Sequence, residues 1–113
     1  MMCYTFTVDA TSIAWSDVEL RGVAWVEEGR DVVFRVRLPG TGPAPERERI
    51  VICRWAEGLV LNVTIPSGVG GPPLTWNATF ARRDDDRWSV NFDFAHAGEI
   101  RLTCAEVDVQ PAP

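Results

Sequence analysis

Lysine is absent from this 113-residue sequence, histidine occurs once, and cysteine three times. With no lysine, all 11 basic residues are arginine, set against 16 acids for a net charge of −5. Nucleic-acid binding leaves a basic footprint, so an acidic chain argues against that class of partner. The arginine bias, with abundant Ala, Gly, Val and Pro, fits codon usage in a GC-rich genome; arginines chosen as phosphate forks are the alternative.

The one histidine, His96, falls in the predicted turn Ala95-His96-Ala97-Gly98. No Gly-x-Ser-x-Gly elbow, phosphate-binding glycine loop or His-rich metal spacing accompanies it. A general base needs a partner within hydrogen-bond reach, and no motif marks one, so no enzyme and no cofactor is expected. Asp84-Asp85-Asp86 is the densest group of oxygens, but it lacks the alternating spacing, glycine and distal glutamate of a calcium loop. With Arg82, Arg83 and Arg87 around it, the run reads as a charge-balanced hairpin tip rather than a metal site. The remaining acids are scattered over turns and wet faces, which nominates no facing pair for glycosidase chemistry.

Cys3, Cys53 and Cys104 lie about fifty residues apart, which excludes the short spacings of zinc and redox motifs. They are expected as reduced, buried thiols; a Cys3–Cys104 bridge requires the terminal strands to pair. No apolar run approaches the ~18–20 residues of a membrane span. Met1-Met2-Cys3-Tyr4-Thr5 lacks the basic and apolar sections of a signal peptide, so a cytoplasmic, soluble protein is expected. The Asn62-Val63-Thr64 and Asn77-Ala78-Thr79 sequons then read as chance, on wet strand faces.

What the sequence has in abundance is alternation. In residues 87–94, Trp88, Val90, Phe92 and Phe94 share one face, and Arg87, Ser89, Asn91 and Asp93 the other, which makes a half-buried strand of firm register. Leu74, Trp76, Ala78 and Phe80 form a matching face just before it, and the polar stretch 82–86 makes the two a hairpin. A second hairpin joins 20–26 to 31–38 through Glu27-Glu28-Gly29-Arg30, with Gly29 at positive φ and Val32, Phe34, Val36 and Leu38 inward. A third is expected between 50–55 and 59–65, with Leu59, Leu61, Val63 and Ile65 on one side. The first strand spans 3–8. The last starts at Glu99, with a bulge near Ala105-Glu106 where the inward parity changes. Segments 20–26 and 50–53 are apolar on both faces, as central strands are.

About eight short strands without a helix imply an all-β antiparallel sandwich, with a small closed barrel as the alternative. One domain is expected over residues 1–109, with a frayed tail at 110–113. The loops at 39–49 and 66–73 are turn chemistry, too short to separate domains.

Five tryptophans are several times ordinary usage. Trp76 and Trp88 fall on apolar faces and are assigned to the core. Trp15 and Trp25, if exposed, form an aromatic anchor with Arg21, Arg35 and Arg37, since Trp and Arg dominate interface hot spots. Otherwise Trp25 and Trp55 pack against the second sheet or under a loop. Edge strands offer a further route to partners, homodimerisation included. Small, acidic, β-meandering and motif-free, the chain resembles bacterial β-sandwich families grouped with toxin-immunity proteins, which implies a binding role. The leading expectation is a non-catalytic module that binds another protein or itself; the alternative is a small-molecule or carbohydrate binder.

Overall fold

Side chains that alternate between apolar and polar fix one wet and one buried face per strand, and eight strands form among the described residues. The computed structural model describes residues 13–39, 47–64, 74–75 and 77–111. In chain order the strands are β1 (Glu19–Val26), β2 (Asp31–Leu38), β3 (Arg47–Arg54), β4 (Glu57–Val63), β5 (Asn77–Arg82), β6 (Trp88–Asp93), β7 (Gly98–Cys104) and β8 (Glu106–Pro111). They make two four-stranded antiparallel sheets, ordered β1-β2-β3-β8 and β4-β7-β6-β5, that pack as a sandwich and do not close into a barrel. No helix among the described residues is long and apolar enough to cross a membrane.

Between the sheets lie Val32, Phe34 and Val36 of β2, Val51 and Cys53 of β3, and Val109 of β8. Facing them are Val90 and Phe92 of β6, and Ile100, Leu102 and Cys104 of β7. Phe92 is the hub: its ring centroid lies 4.9 Å from Phe34 in the other sheet, 5.6 Å from Phe80 and 5.5 Å from Trp15. Each fully buried side chain of this size contributes about 1.5–3 kcal/mol of transfer free energy. Tilted and edge-on ring pairs add roughly 0.5–1.5 kcal/mol each.

The β1–β2 and β5–β6 hairpins form as the alternation requires. Two connections differ from expectation. Residues 50–54 and 59–63 are not a hairpin, because β3 belongs to one sheet and β4 to the other. The change of parity after Cys104 is not a bulge either: the chain leaves β7, bends at Ala105 and crosses to β8 in the opposite sheet. Both crossings occur at the same end, where the Ala105 N–H donates to the Arg54 carbonyl at 2.8 Å. A crossing inverts which parity points inward, just as an inserted residue does.

Segment 20–26 is likewise not central. β1 is an edge strand, so Val26 on its outer face stays in solvent, and Trp25, level with Val32 on the inward side, is also left exposed. Leu74, expected inward, is also exposed. Gln110 and Pro111 are not frayed; they pair with Ile50 and Arg49 at the end of β8, an edge strand whose outer side tolerates proline. Cys104 is a free, buried thiol, and Cys3, its suggested bridge partner, lies outside the described residues. The first strand at 3–8, Ile65 and Trp76 lie outside the described residues.

Gly98 opens β7 with φ +118°, and a Cβ there would drive into the backbone carbonyl of Asn62 on β4. Gly98→Ala is therefore expected to lower unfolding free energy by at least ~2 kcal/mol in urea titrations. Gly22→Ala, whose Cβ would meet only the Arg35 Cβ at 4.0 Å, should change it by less than ~0.5 kcal/mol.

Candidate functional site

The sheet end bearing the crossings is built from backbone that ordinary residues avoid. In the turn between β1 and β2, Glu27, Glu28 and Gly29 all take positive φ, at 53°, 59° and 90°. Only the glycine was expected there. Beside them, where the chain leaves β3, Trp55 sits at φ 55°. Left-handed backbone costs a non-glycine residue about 1–2 kcal/mol, and it persists only where surroundings enforce it. Such strain collects at binding and switch sites.

The enforcing group is Asp31, at the start of β2 and only 1% exposed. Arg30 meets its carboxylate with two parallel bonds, Nε to Oδ1 and Nη2 to Oδ2, both at 3.1 Å. Arg54 Nη1 stands 3.8 Å from Oδ2. The backbone N–H of Trp55 donates to Oδ1 at 3.1 Å. Hydrogen bonds to a charged acceptor contribute about 1.5–3 kcal/mol, which matches the strain at Trp55. The Trp55 carbonyl accepts from Arg87 Nη2 at 2.7 Å, and the Ala56 N–H donates to the Arg30 carbonyl at 2.8 Å.

The backbone of Trp55 is thus held at both its N–H and its carbonyl, yet the residue is 59% exposed. The Arg30 guanidinium stacks over the ring, 4.8 Å from its centroid. Around the indole opens a cleft of about 650 Å³ lined by Glu27, Glu28, Gly29, Arg30, Trp55, Ala56 and Glu57. Trp25, 57% exposed, is paired with Val32 on the same end of the sheet. The two indoles flank the start of β2.

Charges here are tied to one another. The hydrogen bonds from Arg30, assisted by the Trp55 N–H and by both arginine charges, hold the Asp31 carboxyl below its ordinary range against the opposing effect of burial. Arg30 is raised by its bond to Asp31, and Arg54 by its 2.7 Å bond to Asp108.

Of the proposed anchor residues only Trp25 reaches this end, and Trp55, expected to pack against the second sheet or under a loop, is exposed here instead. Trp15 is 5% exposed and stacks on Phe80 and Phe92, so it cannot anchor a partner at the surface. The Trp15–Val18 turn is drawn inward by backbone bonds to Thr75, with Thr75 N–H donating to the Val18 carbonyl at 2.8 Å. Arg21 forms an ion pair with Glu19, and Arg35 with Glu48, farther along the sheet; Arg37 is half-buried beyond Arg35. Trp88 is half-buried, with Arg82 over its ring. Residues missed by periodicity are Trp55 and Arg30. The Arg54-Trp55 and Arg30-Asp31 neighbours were visible, but not that a sheet crossing brings them together.

Other candidates are weaker. At the β5–β6 tip, Asp85 and Asp86 pair with Arg83 and Arg82, as a charge-balanced tip requires. No group of three or more His, Cys, Asp or Glu side chains among the described residues is placed to hold a metal. His96 is exposed on the single 3-10 turn before β7. Between the edge strands β1 and β4 runs an apolar groove of about 310 Å³, lined by residues including Leu20, Val23, Leu61 and Val63. No protein-family model, curated protein or solved structure matches the chain, so the arrangement itself carries the functional argument.

Because the Asp31 carboxyl lies lower in the folded than in the unfolded chain, its contribution is complete above the unfolded value of ~3.9 and is lost as pH falls through the folded one. Thermal melts between pH 6 and pH 2 are expected to show a shallower acid decline for Asp31→Asn than for the wild type, with lower stability for the variant at neutral pH. Parallel pH profiles would remove Asp31 as the controlling group.

Proposed function

We propose that this protein is a non-catalytic, cytoplasmic β-sandwich module that binds a partner protein by seating an arginine- or lysine-bearing segment against Trp55. The observation that carries this reading is a tryptophan whose backbone is fixed at N–H and carbonyl while its ring is left in water. A preorganised aromatic anchor loses little entropy on binding, which is why tryptophan is enriched at hot spots.

Charge favours a basic occupant. Glu27 and Glu28 line the cleft, Glu57 beside them is shared with Arg87 at 3.5 Å, and the Arg30 cation is matched by Asp31. Arg30 already rests on part of the indole, and a partner's cation would use the ring surface that Arg30 leaves open. The net charge of −5 would steer a basic partner, such as a cationic toxin or enzyme to be blocked, toward the module. Trp25 on the β1 edge supplies a second aromatic contact, and that edge also suits self-association.

A small-molecule or sugar ligand has narrower support. Core side chains occupy the space between the sheets, and the β1–β4 groove is at the lower limit of ligand-pocket size.

Selection of a displayed random-peptide library on the immobilised protein tests the reading. Enrichment of peptides bearing Arg or Lys is expected, with Kd rising at least ~10-fold for Trp55→Ala. Affinity should also fall as salt rises. Enrichment of neutral or acidic peptides, or affinities indifferent to Trp55→Ala, would overturn it.

A further inference from the structure

A second feature of the same sandwich end stands apart from what the cleft binds. Cys53, near the end of β3, and Cys104, the last residue of β7, belong to opposite sheets and are both fully buried free thiols in one core cluster. The residues that follow them are joined directly, Ala105 N–H to Arg54 carbonyl at 2.8 Å, so the two crossings run side by side. The two thiols lie close enough across the sheet interface for each to be the largest influence on the other's ionisation.

The setting is asymmetric. The Nε of Arg87, one residue before β6, is buried with no hydrogen-bond partner, and the Arg87 charge acts on Cys104. Hydrogen bonding from Cys53, then that charge, lower the Cys104 thiol, while its bond to Cys104 and burial push Cys53 up. Thiolates at lowered pKa beside a cation are the ones that exchange with disulfides. Arg87 Nη2 is engaged by the Trp55 carbonyl at 2.7 Å and by Glu57 at 3.5 Å, so Nε is the part of the guanidinium left for a Cys104 thiolate.

We propose that Cys53 and Cys104 are a redox pair that closes into an inter-sheet disulfide by exchange with a low-molecular-weight disulfide such as oxidised glutathione. The Cys104 thiolate attacks one sulfur of the oxidant, whose S–S bond breaks and releases a first thiolate. Cys53 then loses its proton to solvent and attacks Cys104 Sγ, displacing the second thiolate. In sum, two protein thiols lose two protons and two electrons, and one small disulfide is reduced to two thiols. In a reducing compartment the pair rests as thiols, and oxidant closes it. Since neither sulfur touches solvent, exchange with the native protein waits on local opening of the crossings and is slow. The bridge would tie the sheets together two residues from Trp55.

The test uses the full chain carrying Cys3→Ser, equilibrated with oxidised glutathione natively and, in parallel, through unfolding and refolding. Acid quenching, denaturation and maleimide labelling precede intact-mass measurement. The expected product takes up no maleimide, carries no glutathione and is lighter by two hydrogens than the reduced chain. Its Tm should rise by roughly 15 °C, as closing a loop of about 50 residues implies. In the wild type, peptide mapping should find Cys53 linked to Cys104. Two maleimides per chain after both treatments, a stable glutathione adduct, or a link to Cys3 instead would overturn the proposal. Cys53→Ala and Cys104→Ala in the Cys3→Ser background should each abolish the rise in Tm, whereas a rise persisting in either would overturn it.

Discussion

Three stretches of chain meet at the Asp31 carboxylate: the β1–β2 turn through Arg30, the end of β3 through Arg54, and the first crossing through the Trp55 N–H. An ionised carboxylate so deeply buried is tolerable only with partners on every side. Arg54 continues the chain of charges to Asp108 on β8, so the network spans β2, β3 and β8 of one sheet. The raised Arg30, the left-handed backbone of Trp55 and its solvent-facing indole follow from satisfying that one acid. Stability and the presentation of Trp55 are therefore not separable at this end.

The aromatic hub and the polar network act at different scales. Phe92, with Phe34, Phe80 and Trp15, holds one sheet on the other and is indifferent to what happens at the surface. Asp31 and its partners do little for the bulk of the core, but they decide where a single exposed ring points. A binding surface built this way rests on scaffold strands and their junctions rather than on a long loop, which favours a fixed shape over an adaptable one.

The alternation of residues 88–94 and 31–38 made strands, faces and hairpin turns legible, and with them the sandwich. What alternation cannot carry is membership of a sheet. A short connection between two strands reads alike whether it turns back within a sheet or steps across to the other, so the 54–57 crossing looked like a hairpin and Ala105 like a bulge. The candidate site was hidden for the same reason, because Trp55 gains its setting from a crossing. Trp15 was misplaced because its burial depends on backbone bonds to Thr75, sixty residues away, which no local pattern records. Trp25 was legible as a candidate from its phase with charged residues, but the register shift between Leu20 and Gly22 turns it to the inward side, where it is exposed because β1 is an edge strand.

The pairing of β3 with β8 has a kinetic side. Cys53 opposes Val107 in that ladder, so one sheet is completed only when segments half the chain apart find each other. Closing so long a loop costs entropy before any contact repays it, and topologies dominated by such pairings fold in milliseconds to seconds rather than microseconds. During that interval the apolar margin of β3 stands uncovered beside β2. The rate at which β8 arrives thus governs how long a nascent or refolding chain is open to joining another copy of itself.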